Sequence, residues 1–480
     1  MLKHLDVIRK RWPEAATFYA ERDHRTELVV AHLFKYVHAP VEIHVEPRLA
    51  MDITIQRMVL LAANLTARWA RNVRVMVPEV ALQGPLGIHG DGGLRERIAR
   101  EMFEADPFGN FEVGPMLRSD PLALRLRVGF DNAPAFPVVD SDYWIDACRW
   151  TVVGRRGEVS HGLDSRNAVA GTAALAAAIG AGDLFKRAIG HRKEDWTGRV
   201  DWCTWDQTFG MDVDWNAGPP LSAEVVDLGH LLIAGVGAVG SALLYILGFM
   251  PCHGRVALLD RDCVEASNLN RAPLFTALDA CLGRTKTDVG AELLRLMGCD
   301  VTTIRGPWHE HGEALSRASF DVWVSLTNEG AAWAEVPFHL PPVVLHGTTT
   351  SGWGIGLGRH IPRLEDCTAC RLPRPHAEFR GPCAEGEVSA SPDVEIRASL
   401  PFLSTASAAL VALELLKLRF PMARLLPNAV CADFRNGLPF VVAQRFGPTA
   451  NCGGCLMASH PLWNERGGRG RYASLSIFDQ

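Results

Sequence analysis

A chain of 480 residues, 48% of them hydrophobic, holds apolar material for two or three packed domains. Its formal net charge of −5 leaves no basic footprint for nucleic acid, and no run of about 18 uncharged apolar residues would span a membrane. Met1 is followed by LKHLDVIRKRWPEAA, which is charged and amphipathic rather than an export signal, so a cytoplasmic protein is expected.

The first 200 residues give weak signals. ITIQRMVLLAANLTARWAR (53–71) predicts a helix from its three-and-four spacing, and NVRVMVPEVAL (72–82) predicts a strand. GLRERIAREMFEAD (93–106) reads as a helix, ALRLRVGFDN (123–132) as a strand, and AVAGTAALAAAIGAGDLFKRAIG (168–190) as a buried alanine-rich helix. This alternation predicts an N-terminal α/β domain over 1–200. Residues 201–228 lack periodicity and read as a linker, with Trp202, Trp205 and Trp215 as packing residues at a seam.

From His230 the β-α alternation is clear. Strands are expected at HLLIAGVG, RVALLD, DVTTIRG (300–306), FDVWVSLT (320–327) and PVVLHGTT (342–349), with a helix over 286–298. Such continuous apolar runs are typical of parallel strands buried on both faces. A second alanine-rich helix at 403–420 echoes the one at 166–187, each ending in an acid and a leucine-rich basic stretch. A duplicated domain would leave such an echo, and so would chance.

Within GVGAVGS, Gly235, Gly237 and Gly240 join strand to helix, and Asp260 stands twenty residues later at the end of the next strand. That is a dinucleotide-binding turn, with phosphate on the helix N-terminus and ribose on the acid. NAD and ATP both fit the glycines. The segment DRDCVEASNLNRAPLF (260–275) and GRTK (283–286) then add Asn268, Arg271 and Lys286. A pyrophosphate has no general need of such cations, whereas a triphosphate carries about four charges that require them. No GKS or GKT follows the glycines, so cleavage at the α-phosphate is the natural chemistry.

Twelve cysteines without an export signal are not a disulfide framework. Cys367-Thr-Ala-Cys370 and Cys452-Gly-Gly-Cys455 supply four thiolates for structural Zn2+. Between them lies a long loop (371–402) with Cys383 in Gly-Pro-Cys-Ala-Glu-Gly, flanked by Arg380 and Arg397 that could lower a thiol pKa. The cysteines at 252, 263, 281, 299 and 431 read as small buried hydrophobes.

The run GVGAVGS, LLDRDCVEASNLNR and GRTK resembles the ThiF/MoeB and ubiquitin-activating enzyme superfamily over roughly 225–456. The resemblance implies a Rossmann-like adenylation domain over 229–456 with a CxxC/CxxC zinc module, and a tail over 457–480. It also implies ATP and Mg2+, and a glycine-terminated ubiquitin-like partner whose carboxylate attacks the α-phosphate. Gly235, Gly237 and Gly240 would cradle phosphate and Asp260 would hold ribose. Asp262 and Asn268 would lie beside the site, while Arg271 and Lys286 would bind phosphates. Cys383 would take the acyl group as a thioester and pass it to a conjugating-enzyme-like protein, as in bacterial conjugation operons, some of them antiphage. Two positions depart from the family. Ala272 stands where glutamine is usual, and Asn328 in SLTNEG stands where an aspartate holds Mg2+, which leaves Asp262 or Glu329 to help, or the metal to be held largely by water and phosphate. Residues 1–200 would be an inactive adenylation half or an unrelated binding domain; the family otherwise forms homodimers. A thiamine- or molybdopterin-type sulfur-carrier adenylyltransferase, an inactive scaffold and an NAD oxidoreductase are the alternatives.

Overall fold

The computed structural model describes the chain apart from residues 1, 28–35, 85–91, 116, 132–133, 135–136, 158–165, 191–197, 221–224, 328–329, 351, 372–399, 436–439, 466–470, 473–474 and 476–480. Helices α1 (Leu2–Arg11) and α2 (Ala15–Glu27) lead into a first sheet. Its strands are β1 (Pro40–Val45), β2 (Asn72–Met76), β3 (Asn110–Gly114), β4 (Leu124–Val128), β5 (Tyr143–Cys148), β6 (Thr151–Arg156) and β7 (Arg199–Cys203), in the order β3-β2-β1-β4-β5-β6-β7. Helices α3 (Ile53–Ala67), α4 (Leu94–Ala105) and α5 (Ala170–Ala188) follow β1, β2 and β6.

The second sheet contains β8 (Val226–Ala234), β9 (Cys252–Asp260), β10 (Cys299–Arg305), β11 (Val322–Ser325), β12 (Val344–Thr349), β13 (Gly354–His360), β14 (Ala429–Asp433) and β15 (Phe440–Gln444). Their order is β10-β9-β8-β11-β12-β13-β14-β15. Helix α6 (Ala238–Leu247) follows β8, α7 (Ala277–Leu282) and α8 (Lys286–Leu296) follow β9, and α9 (Trp308–Arg317) follows β10. Next come α10 (Gly330–Glu335) after β11, and α11 (Thr368–Arg371) and α12 (Pro401–Lys417) after β13. The fold is mixed α/β with two mostly parallel, Rossmann-like sheets.

The two sheets repeat one plan. With β1 matched to β8, each sheet has five parallel strands and then antiparallel ones, in the same order. Helix α3 then matches α6, and α5 matches α12. These helices form the seam: α5 packs on α3 and α12, and α12 packs on α6. The alanine-rich composition follows from that packing. A Cβ on Gly171 of α5 would stand 2.7 Å from Leu413 Cγ and 3.1 Å from Ala409 O of α12, so small residues are what let the helices approach. One ion pair also occurs in both halves: Arg156 of β6 with Asp183 of α5 at 3.1 Å, and Arg359 of β13 with Glu414 of α12 at 2.9 Å. The acid in each helical echo is thus the partner of an arginine on the preceding strand.

The stretch expected to be a linker at 201–228 differs from that expectation. It opens inside β7, an edge strand of the first sheet, and closes inside β8. Trp202 is buried, with its Nε1 donating to Gln207 Oε1 at 2.9 Å. Trp205 lies between Trp150 (centroids 5.1 Å apart) and Phe420 (5.7 Å). Trp205 thus packs the seam, whereas Trp215 packs against Phe130, Trp144 and Val153 within the first half; the paucity of periodicity reflects turns between the indoles. Among the described residues, no helix is long and apolar enough to cross a membrane.

Candidate active site

The apolar run LLIA suits β8 to an inner position in the second sheet, midway among its five parallel strands, and the chain leaves it through three residues, Gly235 to Gly237, into α6. Gly235 has φ +95°, and a Cβ there would stand 2.7 Å from the Leu326 carbonyl carbon. Gly240 lies against the strand end, where a Cβ would come within 2.1 Å of Gly235 O. At Gly237, by contrast, a Cβ would meet nothing within 4 Å. Gly237 is the N-cap of α6 and makes no side-chain cap. The first N–H groups of α6 therefore keep their capacity for an anion, with the positive end of the helix dipole behind them.

Asp260 ends β9 beside this turn. Its Oδ2 accepts from Val236 N at 2.7 Å and its Oδ1 from Asp262 N at 2.9 Å. The carboxylate thus shapes the turn, and each oxygen retains a further acceptor position, as a ribose contact needs. Lys286 begins α8, capped by Thr285, whose side chain accepts from Asp288 N. Its Nζ reaches Asp262 Oδ2 at 2.8 Å, and its own N–H donates to Asp262 O at 3.1 Å. Lysine and aspartate, 24 residues apart in sequence, are one ion pair at the strand ends.

Asn268 and Arg271 lie in the loop between β9 and α7. Both are nearly buried. Asn268 Oδ1 accepts from Glu265 N at 3.0 Å, which closes a short helical turn. Arg271 Nη1 donates to Ser267 O and to Asn270 Oδ1, the latter at 2.9 Å. The structure therefore brings the glycine turn, Asp260, Asp262 and Lys286 to the C-terminal ends of β8 and β9. It places Asn268 and Arg271 in the adjoining loop, with the bonds named here made within that loop.

Cys367, Cys370, Cys452 and Cys455 converge, with Sγ atoms all within 4.8 Å of one another. The separations are 3.7 Å for Cys367–Cys370, 3.6 Å for Cys367–Cys452 and 3.4 Å for Cys370–Cys455. A tetrahedron with Zn–S of about 2.3 Å has edges of about 3.8 Å, so the donor set and its size fit zinc. Such an ion would tie α11, at the start of the long excursion, to the chain after β15. Cys383, with loop residues 372–399, and Asn328 and Glu329 lie outside the described residues. Among the other cysteines, Cys252 and Cys299 are buried as expected; Cys263 and Cys281 are intermediate. Cys431 is exposed, because its position on β14 alternates to the outer face.

Sequence reasoning missed a set of first-half residues that touch the loop after β9. Thr26 Oγ1 of α2 accepts from Asn270 Nδ2 at 2.7 Å. Arg68, at the end of α3, donates to Leu269 O at 2.6 Å and to Pro273 O at 2.8 Å. Asn64 Nδ2 donates to Pro273 O at 3.2 Å. Only the shared topology of the halves could have signalled them, since no local motif surrounds any of the three.

Residues 223–421 match the ThiF family. This segment is a ThiF-family domain, within the ThiF/MoeB and ubiquitin-activating superfamily. The NEDD8-activating enzyme E1 catalytic subunit of Caenorhabditis elegans is 31% identical over 114 residues, 23% of this chain and 26% of the relative. The chain thus spans about a quarter of the length of that curated relative. E. coli MccB with ATP aligns at TM-score 0.37 and 17% identity, over 48% of this chain and 66% of that one. MccB with N-formylated MccA aligns at TM-score 0.37 and 16% identity, over 48% and 67%.

Proposed function

We propose that the ThiF-family domain adenylates the C-terminal glycine of a ubiquitin-like protein. The observation that carries this reading is the uncapped N-terminus of α6 at Gly237, beside Asp260 and the Lys286–Asp262 pair. ATP fits there with phosphates on the α6 N–H groups and ribose on Asp260. A carboxylate oxygen of the partner attacks the α-phosphorus, the bond to the bridging oxygen breaks, and pyrophosphate leaves. Lys286 and Arg271 supply positive charge for the leaving pyrophosphate. Mg2+ would neutralise further phosphate charge; Asp262, half exposed, is the described carboxylate suited to it.

In the second step Cys383 thiolate attacks the acyl carbon, AMP leaves and a thioester forms, ready for a conjugating-enzyme-like partner. The first half serves as an inactive adenylation half that replaces the second subunit of a homodimer. Helix α2 packs on residues 266–268, which sets the first half beside the loop that carries Arg271. Antiphage conjugation is the setting proposed. Zn2+ on the four cysteines is structural.

The test is pyrophosphate–ATP exchange with a small protein ending in glycine. Exchange that requires that partner supports the reading, and its absence with every such partner favours a scaffold. A reductant-sensitive adduct lost in Cys383→Ala supports the thioester; an adduct that survives the substitution removes Cys383 from the role.

A further inference from the structure

The loop from Leu269 to Phe275 carries Arg271, yet much of what holds it comes from the other half of the molecule. Arg68 is the C-cap of α3 and is 1% exposed. Its Nη1 donates to Leu269 O at 2.6 Å, and its Nη2 to Pro273 O at 2.8 Å and Phe275 O at 3.2 Å. Its Nε donates to Asn64 Oδ1 at 2.7 Å, so the guanidinium plane is fixed. Asn64 is itself held: its Nδ2 donates to Glu101 Oε2 at 2.6 Å, and Glu101 accepts from Arg97 Nε at 3.1 Å. On the far side, Ser404 Oγ of α12 donates to Arg271 O at 2.9 Å.

One planar fork therefore grips carbonyls on both flanks of Arg271. Burying a guanidinium is costly, and here the contacts that offset it are three loop carbonyls and the amide oxygen of Asn64. Lysine, a point charge on a flexible stem, cannot bridge that spread of acceptors in one plane. Three of the four acceptors of Arg68 are carbonyls of this loop, so the clamp is specific to the path of residues 269–275.

We propose that Arg68 is a positioning residue for the adenylation reaction: from the first half it sets the path of residues 269–275 and thereby the place of Arg271 at the phosphates of the second half. The proposal rests on the adenylation reading, in which Arg271 faces the leaving pyrophosphate. It also gives the first half a task at the site besides folding. Nucleotide binding relies on the glycine turn and Asp260, which Arg68 does not touch, so the effect falls on turnover.

The experiment compares wild type, Arg68→Lys, Arg271→Ala and the double variant in the full chain. Amide hydrogen exchange over 266–275 is read without any partner, and pyrophosphate–ATP exchange is read with a glycine-terminated ubiquitin-like protein. Arg68→Lys is expected to lose protection over 266–275 and to lower kcat about 30-fold, while the ATP dissociation constant moves less than about 3-fold. In the Arg271→Ala background the same change is expected to lower kcat no further, because both act through one group. Equal protection in wild type and Arg68→Lys overturns the proposal, as does an equal kcat loss in both backgrounds. Absence of exchange in the wild type overturns the adenylation reading instead. Loss of loop protection in Arg68→Lys would then still show the clamp, so the two failures are distinguishable. Should Arg68→Lys not fold, Asn64→Ala releases Arg68 Nε, and the same kcat loss and the same non-additivity are expected.

Discussion

The two halves share a strand order and diverge at one turn. In the second half three residues separate β8 from α6, and the N-cap is Gly237, which has no side chain to offer. In the first half seven residues, 46–52, separate β1 from α3, and the N-cap is Asp52. The Asp52 carboxylate accepts from Thr54 N at 2.7 Å and from Ile55 N at 3.4 Å. The helix end that could receive phosphate in one half is thus satisfied by its own carboxylate in the other. Nearby, Arg127 pairs with Asp142 at 2.6 Å and with Glu46 at 3.5 Å, and Arg166 pairs with Asp146 at 3.0 Å. In the first half these charges are satisfied by one another, whereas beside the second half's turn stand Asp260, the Lys286–Asp262 pair and the uncapped N–H groups of α6. A common frame can therefore serve as a nucleotide seat or as a support, according to who caps the helix.

The largest effect should come from giving the second half the cap of the first. At Gly237 an added Cβ meets nothing within 4 Å, and Gly237→Asp places a carboxylate at the α6 N-terminus. ATP affinity is expected to fall by about 100-fold or more, with the melting temperature within a few degrees of wild type, measured by calorimetric titration and thermal melting. Next, Lys286→Ala should lower pyrophosphate exchange by about 100-fold, because it removes the charge opposite Asp262 and the pyrophosphate; steady-state exchange kinetics check this.

Removing zinc sharpens the comparison from the other side, since among the described residues the four-cysteine cluster belongs to the second half alone. Cys455→Ser should lower bound zinc to well below one per chain and destabilise β14 and β15 before the first sheet, as read by metal analysis and amide exchange.

A smaller effect concerns acid. Burial alone would raise the Glu42 pKa, but hydrogen bonds from His44, Asp120 N and Ser119 outweigh it and hold the carboxylate down to about 2. A depressed folded pKa means stabilisation present above the unfolded value of 4.5 and lost as pH falls through about 2. Glu42→Gln should therefore cost on the order of 2 kcal/mol at pH 7 and less as pH drops, seen as a flatter acid limb in denaturation of the first half.

Legibility of the sequence followed the same division. The second half reads easily because LLIA, VALL and VWV are uninterrupted apolar strands, and the glycine turn, the acid and GRTK keep their spacing. The first half hides its central strands. β1 buries Glu42 and His44, and β5 buries Asp146 against Arg166, so buried, paired charges defeat an apolar-run reading, although β4 was legible despite its buried Arg127. Likewise β7 is concealed among tryptophan turns. The ion pair between Asp262 and Lys286 was half legible, as two residues assigned to one site. The grip of Arg68 and Asn64 was not legible, because it joins residues some 200 apart through backbone carbonyls that carry no sequence signature.

The least substitution-dependent test of one seat in two like halves is the count of nucleotides bound. Titration of wild type, Gly237→Asp and Asp52→Ala with ATP and Mg2+ is expected to give one site per chain in wild type and in Asp52→Ala, and none in Gly237→Asp. Two sites in the wild type, or one that survives Gly237→Asp, would contradict the assignment of the seat to α6.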